Sequence, residues 1–129
     1  MRAIIIPCTR EKVWDTDPDR GSVPAKEAYA KPVFAKWRAH AEQSGIPWFV
    51  LSTKYGLLAP DDLVESYNVP VSAALDDPRL YALLKDQDRR LGLDNFGQVV
   101  LLDCEKFQPL VRAAVANPAV PCKLRRLYY

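Results

Sequence analysis

Three short stretches of the chain are apolar at every position: Ala3 to Ile6, Trp48 to Leu51 and Val99 to Leu102. A strand with one wet face alternates apolar and polar residues, so unbroken runs rich in β-branched side chains predict strands buried on both faces. Between them the apolar positions fall at helical spacing. From Pro24 to about Gln43 the Ala, Lys and Glu content favours a helix broken near Pro32, with Phe34, Trp37 and Ala41 facing inward and Gly45 as the stop. Asp77 followed by Pro78 is a cap and a first-turn proline. They open a second helix, with Leu80, Leu83, Leu84 and Leu91 on one side, that ends at Gly92. A third runs from Cys104 or Glu105 to Ala116, burying Phe107, Leu110, Val111 and Ala114, and Lys123 to Tyr129 reads as a fourth strand.

Buried strands alternating with helices make βαβ units, whose right-handed crossovers join parallel strands. The expected architecture is therefore one three-layer α/β domain over residues 1–129, with a mostly parallel sheet of about four strands flanked by helices. Two connections, Arg10 to Val23 and Leu57 to Leu75, are longer than such a fold requires, and long loops in compact domains are often functional.

Composition narrows the picture only slightly. Lysine and arginine number 18 against 16 acids, for a net charge of +2, which excludes a strongly basic nucleic-acid binder or a polybasic membrane protein but allows a local basic patch. The three cysteines, Cys8, Cys104 and Cys122, form no C-x-x-C pair, and the opening apolar run stops at Pro7, so a reducing cytoplasm and no membrane are expected.

In an open parallel sheet, ligands bind beyond the carboxyl ends of the strands, where the strand-to-helix loops gather. Those loops are polar here. They offer the cations Arg10, Lys12, Lys54 and Lys106, the hydroxyls of Thr9, Ser52, Thr53 and Tyr55, and the carboxylate of Asp103, a set suited to an anionic ligand such as a nucleotide or nucleic acid. Cys8 lies among the cations and is a candidate nucleophile, although a plain buried thiol is the stronger reading because the single histidine, His40, sits mid-helix. No metal site is expected from scattered thiols and one histidine. Asp15-Thr16-Asp17-Pro18-Asp19-Arg20-Gly21 imitates a calcium loop, but Arg20 stands where glycine is needed and Lys26 where the bidentate glutamate belongs. Neither a phosphate-loop lysine motif nor G-x-G-x-x-G occurs, and no cofactor is expected.

The segment from Leu51 to Tyr67 is the most informative. Gly56 allows a sharp turn with positive φ or a close approach to a ligand. Pro60 with Asp61 or Asp62 is expected to start a short helix, Asp62 and Glu65 standing at capping-box spacing. Tyr55 and Tyr67 either stack on a base or pack in the core. The pattern Leu-Ser-x-x-Tyr-Gly-Leu-Leu-x-Pro-x-Asp-Leu, with Tyr67 four residues after Leu63, resembles the signature of the YaaA peroxide-stress family. Together with Cys8-Thr9-Arg10-Glu11-Lys12 and the Pro24-Ala25 to Tyr29 and Phe34 helix start, it is similar to a small bacterial and phage domain family of unknown function distantly related to YaaA.

That resemblance implies a site for a nucleic-acid base or nucleotide at the strand-end rim, since YaaA-like proteins are associated with DNA protection and binding and share a distant likeness with base-handling folds of the uracil-DNA glycosylase kind. Three readings stay open. The first is an enzyme acting at a base or N-glycosidic bond, with Asp61, Asp103 and Ser52 as catalytic candidates. Its ligand contacts would be Cys8, Thr9, Arg10 and Lys12 on the first loop, and Lys54, Tyr55, Gly56 and Tyr67 on the second. The others are a non-catalytic nucleic-acid or nucleotide-binding module using the same groups, and an interaction domain whose rim charges serve nothing specific.

Overall fold

The computed structural model describes residues 2–103, 105–115 and 117–126. Strand β1 (Arg2–Pro7) is followed by a 3-10 turn (Val13–Asp15), the two-residue strand β2 (Val23–Pro24), and helices α1 (Ala25–Ala28) and α2 (Pro32–Ser44). Then come β3 (Trp48–Ser52), β4 (Gly56–Leu58), β5 (Leu63–Val64), α3 (Val71–Leu75) and α4 (Pro78–Leu91). After a second 3-10 turn (Leu93–Asn95), β6 (Gln98–Leu102), a third (Glu105–Phe107), α5 (Gln108–Ala114) and β7 (Cys122–Arg125) complete the chain.

The sheet has five strands in the order β4-β3-β1-β6-β7, parallel throughout except for β4, which folds back on β3 as a hairpin. The unbroken apolar runs are explained by successive side chains entering opposite cores. Ile4, Ile6, Val50, Val100 and Leu102 pack with Phe34, Trp37 and Ala41 of α2. Ile5, Leu51, Val99 and Leu101 pack on the other side with Leu80 and Leu84 of α4 and Leu110 and Val111 of α5. Each such side chain, fully buried, stabilises the fold by roughly 1.5–3 kcal/mol.

The expected helices are present with the expected ends. The first is split by Tyr29 to Lys31 ahead of Pro32, and Gly45 closes it in the left-handed conformation. The Asp77 carboxylate accepts the Arg79 N–H at the start of α4, and Gly92 ends that helix at φ 69°. Four expectations change. The sheet gains a fifth strand, because β4 is only three residues long and shows no periodicity. No helix forms after Pro60. There the Asp62 carboxylate accepts the Ala59 N–H in a turn, and the chain runs on as β5 against β2. Leu91 is exposed, since the inward stripe of α4 passes through Gln87 and Asp88. The last helix is a 3-10 turn followed by seven residues of α5. Its expected bounds, Cys104 and Ala116, and residues Leu127 to Tyr129 of the expected last strand lie outside the described residues.

Gln87 deals with the exposed edge of β4. Its side-chain amide accepts the Leu57 N–H at 2.8 Å and donates to the carbonyls of Leu57 and Tyr55 at 3.1 and 3.0 Å. One side chain thus bonds the edge as a neighbouring strand would. Gly56 is needed for this: its φ is 69°, and a Cβ there would lie 2.4 Å from Gln87 Oε1.

Candidate functional site

After β1 the chain leaves for α2 on one face of the sheet, and after β6 it leaves for α5 on the other. These two strands are neighbours, so their outgoing loops part and leave a crevice at their carboxyl ends. A cleft of about 530 Å³ occupies that position, walled by Cys8 to Glu11 on one side and by Asp103 and Glu105 to Phe107 on the other, with Trp37 in its base. A second cleft of about 540 Å³ adjoins it through Cys8, Thr9, Arg10, Val71 and Lys106, and extends toward Lys12, Thr53 and Asn68. Both volumes are those of small-molecule sites.

The two clefts differ in charge. The first mixes Arg10, Lys31 and Lys106 with Glu11, Asp103 and Glu105, the last ion-paired to Arg126. The second holds Arg10, Lys12 and Lys106 and has no carboxylate in its lining. Arg10 is exposed, also borders a third cleft of about 570 Å³ beside Tyr67 and Asn68, and makes no ion pair among the described residues. Asp103 terminates β6 at φ 50°, a conformation unusual for a residue with a side chain. Its carboxylate accepts the Trp37 indole N–H at 2.9 Å. Backbone held in this way is frequently found at functional positions.

Beneath the clefts lies a buried hydroxyl network. Ser52 accepts the N–H groups of Lys54 and Tyr55, closing the turn into β4, and donates to the Tyr67 hydroxyl at 2.9 Å. Tyr67 in turn meets the Tyr29 hydroxyl at 2.6 Å, and Tyr55 packs edge-on against its ring. The Cys8 thiol is within hydrogen-bonding reach of Thr53 and Tyr67, and burial pushes its pKa up against the lowering influence of the Thr53 backbone. It is a neutral thiol at neutral pH, which favours the plain buried reading over the nucleophile. Burial likewise raises both tyrosines far above the usual phenol range.

The rim candidates thus separate into three groups. Cys8, Thr9, Arg10, Lys12 and Asp103 line the clefts, although the Thr9 hydroxyl is committed to the Glu11 carbonyl at 2.9 Å. Tyr67 and Ser52 support them from below, and Ser52, at 0% exposure, cannot touch a ligand. Thr53 and Lys106 also line the clefts, and the remaining candidates stand outside both. Lys54 rests over the Tyr55 ring, Gly56 is occupied by its contact with Gln87, and Asp61 is 82% exposed in an ion pair with Lys26. Of the three catalytic candidates Asp61, Asp103 and Ser52, Asp103 is the one that lines a cleft. Trp37 was legible only as a core residue, and Lys31 and Asn68 were not singled out. Asn68 nevertheless lies in the long Leu57 to Leu75 connection already marked by its length. No cluster of His, Cys, Asp or Glu among the described residues is arranged to hold a metal, and none of their helices is long and apolar enough to cross a membrane.

The arrangement is that of a small α/β protein with a polar crevice at the switch point of its sheet. The chain belongs to a family of unknown function (DUF6884), whose sequence profile matches residues 4–125. It is 34% identical over 118 residues, 90% of this chain and 78% of the relative, to the uncharacterized protein YfjM of Bacillus subtilis (strain 168). No solved structure matches it significantly. These matches name no activity, and the likeness to YaaA rests on the motifs alone.

Proposed function

We propose that the crevice binds a nucleotide, or a base and its phosphate within a nucleic-acid strand, and acts at the N-glycosidic bond. The observation that carries this reading is the fusion of a cleft lined by three cations and no carboxylate to one containing Asp103 and an indole. A phosphate fits the cleft without carboxylates, held by Arg10 and Lys106, and a heterocycle fits the one with Asp103 and Trp37. The YaaA-like segment supports the same reading. In the reaction, the Asp103 carboxylate takes a proton from water as the water oxygen bonds to the anomeric carbon. The carbon–nitrogen bond breaks and the base leaves with its electron pair, taking up a proton from solvent.

The test is titration calorimetry with nucleoside monophosphates and the matching nucleosides at two salt concentrations, with released base measured by chromatography. Monophosphates should bind and nucleosides should not, and added salt should weaken the binding. Arg10→Ala and Lys106→Ala should each weaken it by about 10-fold to 100-fold, the worth of one charge-assisted hydrogen bond. Asp103→Asn should stop base release while leaving the phosphate anchor. Monophosphate binding without release reduces the protein to a binding module, and binding indifferent to Arg10 and Lys106 overturns the site.

A further inference from the structure

The lysines around the crevice are not equivalent. Lys31, Lys54 and Lys106 are exposed, whereas Lys12 is 6% exposed. Its ammonium group has few partners. Nζ donates to the Arg10 carbonyl at 3.2 Å and sits 4.5 Å from the centre of the Tyr67 ring, and Lys12 forms no ion pair among the described residues. Asp15 is close in sequence, but its carboxylate accepts the backbone N–H of Lys12 at 3.0 Å. The same cleft wall carries Arg10 and Lys106, and the burial of Lys12 beneath it removes water from the ammonium. Withdrawal from water shifts a lysine toward its neutral, nucleophilic form, and the carbonyl and ring contacts only partly offset that. Burial lowers the Lys12 pKa, with Cys8 and Asp15 opposing it.

We propose that Lys12 is a carbonyl-capturing amine, which condenses with the aldehyde of a phosphorylated sugar whose phosphate is held by Arg10. The Nζ lone pair bonds to the aldehyde carbon, and the carbonyl electron pair moves to oxygen, which is protonated. The resulting carbinolamine expels that oxygen as water while the nitrogen gives up its protons, so amine plus aldehyde becomes imine plus water with no change of oxidation state. The step deepens the nucleotide reading, because release of a base leaves such a masked aldehyde next to a phosphate. It shares only the phosphate anchor with that reading and does not depend on recognition of a base.

Borohydride supplies hydride to an imine and locks it as a secondary amine, so trapping tests the step directly. The full chain is incubated with ribose 5-phosphate in one arm and with a single-stranded oligonucleotide carrying one abasic site in the other. Both are reduced, and the modified lysine is mapped by mass spectrometry of peptides. The adduct is expected predominantly on Lys12, and the arm that gives it identifies the source as a free sugar phosphate or a strand. Lys12→Arg, which keeps charge and length but forms no imine, should lose the adduct, and Arg10→Ala should reduce it. Mapping on the unaltered protein does not depend on either variant folding. Absence of an adduct, or one spread over exposed lysines without preference for Lys12, overturns the proposal. A protein that binds monophosphates but gives no adduct refutes the amine alone. An adduct at Lys12 without monophosphate binding supports the amine and refutes the nucleotide reading together with its phosphate anchor.

Discussion

Tyr67 is the residue on which the polar floor of the crevice depends, because its hydroxyl meets both Ser52 and Tyr29 and its ring faces Lys12. Tyr67→Phe keeps the ring but removes the hydroxyl that Ser52 and Tyr29 share, so the Ser52 O–H loses its acceptor while its oxygen keeps the two backbone N–H bonds. The substitution should destabilise the fold by roughly 1–3 kcal/mol, the penalty for a buried polar group left unpaired, as a lower urea midpoint at unchanged slope would show. The candidate site was legible at this scale as position but not as direction. The polar strand ends bring Cys8, Arg10, Lys12 and Asp103 to one rim, because parallel strands must deliver their loops there. Whether a hydroxyl at a strand end faces a ligand or its own backbone is decided by the next turn. Ser52 read as catalytic for this reason, although its oxygen is committed to the N–H groups of residues 54 and 55. Tyr67 reads from the sequence as a core residue or a ligand contact, and it borders both environments.

At the scale of elements, the buried strands and capped helices were readable because each carries a signal as long as itself. The unbroken runs mark β1, β3 and β6, and Asp77, Pro78 and Gly92 bracket α4. Strands β4 and β5 were not readable, since three and two residues cannot display a period of two. They form because tertiary partners are waiting: β3 and the Gln87 amide for one, β2 for the other. Gln87→Leu fills the same space without the bonds and leaves the Leu57 N–H buried and unpaired. The expected loss is roughly 1–3 kcal/mol, measured by denaturant unfolding. With the edge of β4 reopened, gel filtration should also show a larger, concentration-dependent species, since free strand edges pair with other chains.

At the scale of the whole molecule, burial holds the protons on Cys8, Tyr29 and Tyr67. Their folded values lie above the ordinary 9.0 of a thiol and 10.0 of a phenol, so at alkaline pH the unfolded chain has released protons that the folded chain keeps. Stability then falls as pH rises through and beyond those ordinary values, because the folded state binds more protons. Lys12 works in the opposite sense, its folded value lying below 10.5, but Cys122, also raised by burial, adds to the other three. Urea unfolding on either side of the ordinary thiol value of 9.0 should show this decline, and Cys8→Ala should make it shallower. The bond between Trp37 and Asp103 has a different use. The emission of an indole responds to the charge at its N–H, so a ligand that engages or protonates the Asp103 carboxylate should shift the Trp37 fluorescence. With Trp14 and Trp48, the other two of the chain's three tryptophans, replaced by phenylalanine, the protein would signal occupancy of its own crevice without any label.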